Sequence, residues 1–321
     1  MERNREIRAR RLIAQHLAQS AARPAASGPV EVLHEMLALR AQRFWPAVRA
    51  LAARAECSED DVIACVRRGE IVRTRTGWDT PIMVAAEDAR WLARTLTSAP
   101  ARLAAVQRAH VLGLQPEEIS RARKTIHAEL AGRPFTQPLT GFEAFAIFAE
   151  IGIDPDGGRG VHLLRILASE GEVVCGATRQ QATFAHVNSL PGNAVDLRGD
   201  AALAELAGRF IASRGPAGPA DLAQWAGLSA AVAEHAVSCA RGLTGFDEDL
   251  SMASWQCEVT CGEIKRALRR TMVLDSVDDY LASYGDTSLV LSPGGHAEGW
   301  QGNDDFGQRV IAHGEVVNAA A

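Results

Sequence analysis

The stretch Arg209-Phe210-Ile211-Ala212-Ser213-Arg214-Gly215-Pro216-Ala217-Gly218-Pro219-Ala220-Asp221-Leu222-Ala223-Gln224-Trp225-Ala226-Gly227-Leu228 decides how the chain is read. A helix over 203–213 runs into a Gly/Pro-rich turn, and Pro219 suits the first turn of a second helix over 219–226. Gly227 and Leu228 then turn the chain into a third helix over 229–240. Helices joined by turns this short have helix-turn-helix spacing. Leu222, Trp225 and Leu228 lie at core spacing and read as packing residues that fix the scaffold.

Upstream, the same grammar recurs. Ile7, Leu12, Ile13 and Leu17 repeat at helical spacing, and Pro24, Gly28 and Pro29 punctuate a loop before a helix over 30–39. Pro46 suits the first turn of the next helix. Ser58, with Asp61 three residues on, resembles a capping box for a helix through Arg68 that Gly69 ends. Ile71-Val72-Arg73-Thr74-Arg75 and Thr80-Pro81-Ile82-Met83-Val84 read as two short strands around Gly77, before a helix from about Ala86. Helices followed by a two-stranded wing are the winged-helix pattern. The middle of the chain repeats it, with helices over 101–112, 116–130, 141–150 and 161–170 and strands over 173–176 and 182–187. From Thr271 the pattern changes to a segment over 275–291, a Gly/Pro-rich stretch, and a final strand pair at 308–311 and 315–317. The expected fold is mainly α with short β-hairpins, an α+β chain. Winged-helix modules over 1–97, 98–195 and 196–260 are expected to surround a concave channel, followed by a small C-terminal segment of helix and β-strand over 261–321.

Composition agrees with several modules, since 321 residues at 47% hydrophobic content exceed the roughly 250–300 residues that one core usually serves. No run approaches the roughly 18–20 apolar residues of a membrane helix. The N-terminus, with Arg3, Arg5, Arg8, Arg10 and Arg11 among Glu2 and Glu6, lacks a signal peptide's apolar stretch, so a cytoplasmic monomer away from membranes is expected. The six cysteines form no CxxC pairs, and Cys257 and Cys261 have no second pair nearby. His16, His34, His110, His127 and His186 fall on separate elements. The chain is therefore expected to fold without disulfide, metal or cofactor. A net charge of −5 argues against non-specific coating of nucleic acid while leaving room for a local basic face. Only Lys124 and Lys265 of the 34 basic residues are lysine, a bias that fits base composition, so no single surface arginine gains weight from it.

The stretch 209–228 resembles the third winged helix of the bacterial AlkZ/YcaQ family of DNA glycosylases, which remove bulky alkylated or crosslinked guanines. Further matches follow in order: Ala9-Arg10-Arg11-Leu12 with Gln15-His16-Leu17, then Val84-Ala85-Ala86-Glu87-Asp88 with Trp91-Leu92, then Asp278-Asp279-Tyr280-Leu281 with Tyr284, Asp286 and Ser288. The resemblance covers nearly the whole chain and implies a C-terminal segment shortened relative to the family. It also implies double-stranded DNA, alkylated at guanine, as the partner. It places catalysis in a short motif after the second helix, glutamine, a small or apolar residue, then glutamine or aspartate, whose side chains position the attacking water.

The matching residues are Arg40-Ala41-Gln42, so Gln42 is retained and Arg40 replaces the first glutamine. Loss of the base builds positive charge on the sugar, and a guanidinium there opposes it; turned outward, Arg40 would instead meet phosphate. Weakened excision is expected. In the first hairpin, where the family carries a basic turn and a histidine, this chain has Trp78, Asp79 and Ile82, flanked by Arg73 and Arg75. Trp78 reads either as a base-stacking residue or as wing-tip packing. Asp279, Tyr280 and Tyr284, beside Asp278, read either as cleft-lining residues with acid–base capacity or as a helix whose carboxylates face solvent. Two function classes stay open: a DNA glycosylase, and a relative without that chemistry that binds DNA or a small molecule or serves natural-product biosynthesis or self-resistance.

Overall fold

A computed structural model describes residues 3–23, 26–76, 80–175, 182–291 and 307–319. The chain is mostly helical with small antiparallel sheets. It begins with α1 (Arg3–Ala14), α2 (Pro29–Glu35), β1 (Leu39–Arg40) and α3 (Phe44–Ala55). Then come α4 (Glu59–Arg68), β2 (Ile71–Arg75), β3 (Pro81–Ala85), α5 (Ala89–Thr95), α6 (Ala99–Val111), α7 (Pro116–Leu130), β4 (Leu139–Thr140), α8 (Gly141–Glu150), α9 (Arg159–Ser169), β5 (Val173–Cys175) and β6 (Thr183–His186). The remainder holds α10 (Gly199–Arg214), α11 (Pro219–Ala226), α12 (Ala230–Cys239), β7 (Leu243–Gly245), β8 (Ser251–Ala253), α13 (Cys261–Arg269), β9 (Thr271–Asp275), α14 (Asp279–Ala282), β10 (Gln308–Ala312) and β11 (Glu315–Ala319). No described helix is long and apolar enough to cross a membrane.

The quoted stretch folds as read: α10, α11 and α12 follow one another, and Gly227 takes the left-handed conformation (φ 66°) that lets α11 stop and α12 begin. Sequence reading missed that module's own wing, β7 paired with β8, and although it expected helix and strand after 261 it did not place α13 or β9. The second helix is shorter than expected, ending at Glu35 rather than 39.

Two compact units are present, residues 1–61 with 199–321, and residues 62–198. They cut across the three consecutive modules read from the sequence. The cause within the second unit is visible: wing strands β2 and β5 pair antiparallel at Arg73 and Cys175, so the wings of the first two sequence repeats share one sheet in the order β3-β2-β5-β6-β4. Its core is built by Ile126, Phe148, Leu163, Leu167 and Phe184 from α7, α8, α9 and β6.

In the first unit, α1 packs Leu12 and Ile13 against Ile264 and Leu268 of α13, Leu274 of β9 and Ile311 of β10. The final strand pair thereby completes a three-stranded sheet, β11-β10-β9. α1 is buried from Ile7 to Ala14 although it carries Arg8, Arg10 and Arg11 there. A helix buried all round is either apolar or has its charges met. Here Arg8 reaches the Leu289 carbonyl and Glu315, Arg10 reaches Glu6 and the Gln256 carbonyl, and Arg11 donates to the Pro216 carbonyl at 2.9 Å.

Candidate functional site

Arg40, Ala41 and Gln42 form the exit from β1 toward α3. Ala41 is buried, Arg40 half-buried and Gln42 exposed. The approach to this turn is clamped from below. Arg214, at the end of α10 and fully buried, donates to the Met36 and Ala38 carbonyls at 2.9 Å each and to Asp279 at 3.0 Å. The second Asp279 oxygen accepts the Arg40 backbone N–H at 2.8 Å. Trp225 adds its indole N–H to Asp279 at 3.2 Å, and Arg214 stacks 4.7 Å above the Trp225 ring. Burial raises the Asp279 pKa, but the Arg214 and Arg40 charges and the Arg40 N–H outweigh it, leaving the carboxyl below its usual range and ionised at neutral pH. Leu37, inside the clamped segment, holds a left-handed backbone (φ 65°), a conformation that a branched residue keeps only where surrounding contacts impose it.

The Arg40 side chain runs toward α14, where Nη2 donates to the Ala282 carbonyl at 3.2 Å. Gln42 is thus the exposed polar side chain of the motif, and Arg40 is docked against the protein.

Asp279, Tyr280 and Tyr284 lie in the interior, not on a wall open to DNA, and the Asp278–Asp279 pair does not face solvent. Asp278 holds Arg54 through two hydrogen bonds of 2.9 and 2.7 Å, with both side chains buried. Arg54 also donates to Gln15, whose amide donates to the Tyr284 hydroxyl at 2.9 Å, which in turn donates to the Arg214 carbonyl at 2.9 Å. Burial, against the Arg11 guanidinium 3.6 Å over its ring, pushes the Tyr284 phenol up to about 12. Tyr280 donates to the Gly314 carbonyl at 2.7 Å, and burial pushes its phenol still higher. With every carboxylate engaged by a guanidinium and both phenols neutral, this cluster orders the motif and has no spare acid or base.

Arg73 and Arg75 lie in the second unit on β2, two residues apart and both half-buried. Burial lowers the Arg73 pKa from its ordinary value. Trp78 and Asp79 lie outside the described residues. Among the histidines, which sequence spacing left apart, the structure brings two together. The Asn188 N–H donates to His186 Nδ1, so neutral His186 presents Nε2–H to His127 Nδ1 at 2.9 Å, and His127 Nε2–H faces Glu172 at 2.6 Å. The two histidines are 59 residues apart in sequence, a separation that no spacing rule reads.

A family model described as DNA glycosylase AlkZ-like matches residues 33–320. Among solved structures, the DNA glycosylase AlkZ of Streptomyces sahachiroi aligns with a TM-score of 0.71 at 19% identity, covering 98% of this chain and 86% of that one. A comparison with curated protein sequences gives no match.

Proposed function

The chain belongs to the AlkZ-like DNA glycosylase family, and on that premise we propose that it binds duplex DNA bearing an N7-alkylated or crosslinked guanine at the 40–42 turn and excises the base only weakly. The observation that carries this reading is the contrast within the motif: Gln42 is exposed on a clamped turn, while Arg40 is docked on the Ala282 carbonyl.

In hydrolysis of the N-glycosidic bond, a water oxygen bonds to C1′ as the C1′–N9 bond breaks. The electron pair goes to N9, where it discharges the cationic N7-alkylated ring, and the water proton leaves to solvent. A neutral amide suffices for such a labile leaving group, because its work is to orient the water. Gln42 can accept a hydrogen bond from that water. Arg40 instead adds positive charge near a sugar that is becoming positive. Two unit charges about 4 Å apart interact by about 4 kcal/mol at an effective dielectric of about 20, roughly three powers of ten in rate when uncompensated. Asp279, which accepts the Arg40 N–H, offsets part of this, but its charge is shared with Arg214.

The test is base release from an N7-methylguanine duplex under single-turnover conditions, at saturating protein and low salt. Slow wild-type release that rises roughly 10²–10³-fold in Arg40→Gln is expected, the scale of one positioned polar group in an active site. Fast wild-type release that falls on the same substitution would show the arginine to be a working part of the site.

A further inference from the structure

We propose that the outer face of α13 is a binding surface for the phosphate backbone of duplex DNA, separate from the 40–42 turn. Lys265, Arg266 and Arg269 stand on α13, Arg270 caps it, and all four are exposed. Glu263, Ile264, Ala267 and Leu268, on the opposite face, are buried. Every residue that the chain gives to solvent between 263 and 270 is therefore a cation.

None of the four makes a side-chain hydrogen bond or ion pair with a described residue. The carboxylates nearby are engaged or apart. Glu263, the one acid of α13, is committed to Thr260, Ser20 and Ala21. Glu56, which shares a cavity wall with Arg266, accepts the Gln19 amide on both oxygens, and Glu258 lies in the turn before the helix. A local excess of positive charge thus stands on a chain of net charge −5. It works against the helix, because Lys265 with Arg269 and Arg266 with Arg270 are like-charge pairs four residues apart. A helix C-terminus favours cations, but its partial charge of about −0.5 offsets only a fraction of four.

The kind of anion follows from what this face lacks and from how its charges are spaced. No apolar or aromatic side chain is exposed between 263 and 270, so a protein partner would find no anchor to bury. Four cations along about 7 Å of helix give one charge per roughly 2 Å, and duplex DNA carries one per about 1.7 Å of its axis. α13 also runs directly into β9, whose Asp275 pairs with Arg49 of α3, the helix that follows the 40–42 turn. Patch and turn therefore belong to one compact unit. The inference rests on the reading that this chain binds DNA, and not on excision.

The test is the salt dependence of binding to an undamaged duplex, by fluorescence anisotropy on the full chain. Each phosphate contact contributes about 0.9 to the slope of log affinity against log salt. Combining Lys265→Gln, Arg266→Gln, Arg269→Gln and Arg270→Gln should make the slope shallower by at least about 2 and weaken binding at about 0.1 M salt by at least about tenfold. Lys265→Gln with Arg269→Gln should lose about half as much, and this pair decides the matter where thermal melting shows the fourfold variant to be unfolded. Removing four exposed cations elsewhere, with Arg108→Gln, Arg121→Gln, Lys124→Gln and Arg241→Gln, should change the slope by less than about 1. A wild-type slope kept by the α13 variants overturns this proposal and leaves the reading of the 40–42 turn standing, since base release in Arg40→Gln tests that reading separately. Equal losses in both sets would trace the effect to net charge and also overturn it. So would displacement of the duplex by poly-glutamate with equal effect per charge, which would make the face a dock for an acidic protein. Wild-type protein that binds no duplex would contradict both readings.

Discussion

Arg40 is committed at both ends, its backbone N–H to Asp279 and its Nη2 to the Ala282 carbonyl, so replacing the side chain removes one neutral-acceptor contact and leaves the backbone anchor in place. Arg40→Gln is therefore expected to fold with a stability within about 1 kcal/mol of wild type, the worth of an ordinary hydrogen bond, in urea denaturation. Asp279 is the opposite case. It is buried, and it compensates a fully buried Arg214 that also holds the Met36 and Ala38 carbonyls. Removing one member of a buried pair strands the other charge, so Asp279→Asn should lose about 3–5 kcal/mol by the same measurement. An unchanged denaturation midpoint would mean that the carboxylate does not hold the turn.

At the scale of elements, the α13 N-terminus joins local and long-range order. Thr260 and Glu263 exchange a reciprocal capping box, and the same carboxylate holds Ser20 and Ala21. These hydrogen bonds, from Thr260 first, bring Glu263 down to about 2. Thr260→Ala should cost about 1 kcal/mol of stability, whereas Glu263→Ala should cost more, because it also releases the loop after α1. Equal losses would show that the loop contacts add nothing. The local half of this design is the part that sequence reveals. The Ser58–Asp61 cap, the span of α7 and the helix-turn-helix at Gly227 follow from residues within a few positions of one another. The long-range half is not legible in this way. Nothing local in Arg11, Arg54 or Arg214 separates them from surface arginines, because they are met by groups as far as 205, 224 and 178 residues away, respectively. The Asp-Asp-Tyr-Leu segment could be picked out from its composition, but its inward orientation depended on those same distant partners.

For the whole molecule, the perturbed groups set a pH profile of stability. His16 and His186 are pushed below 6.5, both by burial first. Glu35, raised by burial but overruled by the His16 hydrogen bond and the Arg23 charge, sits at about 2. Each has a folded pKa below its unfolded one, so each contributes stability above the unfolded value that is lost as pH falls. Tyr284, raised by burial to about 12, has the reverse sign and loses its contribution as pH rises above 10. Glu170, raised by burial, works weakly against the acid limb. Denaturation midpoints should therefore form a plateau between about pH 6.5 and 10 and fall on both sides. A midpoint that rises on acidification from pH 6.5 to 5 would contradict these assignments. The family assignment and the mainly helical fold with short hairpins were readable before any coordinates, whereas the two compact units needed the pairing of β2 with β5. The central claim is that chemistry resides in the exposed amide of the 40–42 turn. It is tested most directly by single-turnover release of N7-methylguanine from duplex DNA in the Arg40→Gln background, with and without Gln42→Ala. The account predicts that Gln42→Ala abolishes the gain while DNA affinity stays within about twofold, since a water-orienting group acts on the chemical step and not on binding. A rate that survives Gln42→Ala would place the chemistry elsewhere in the molecule.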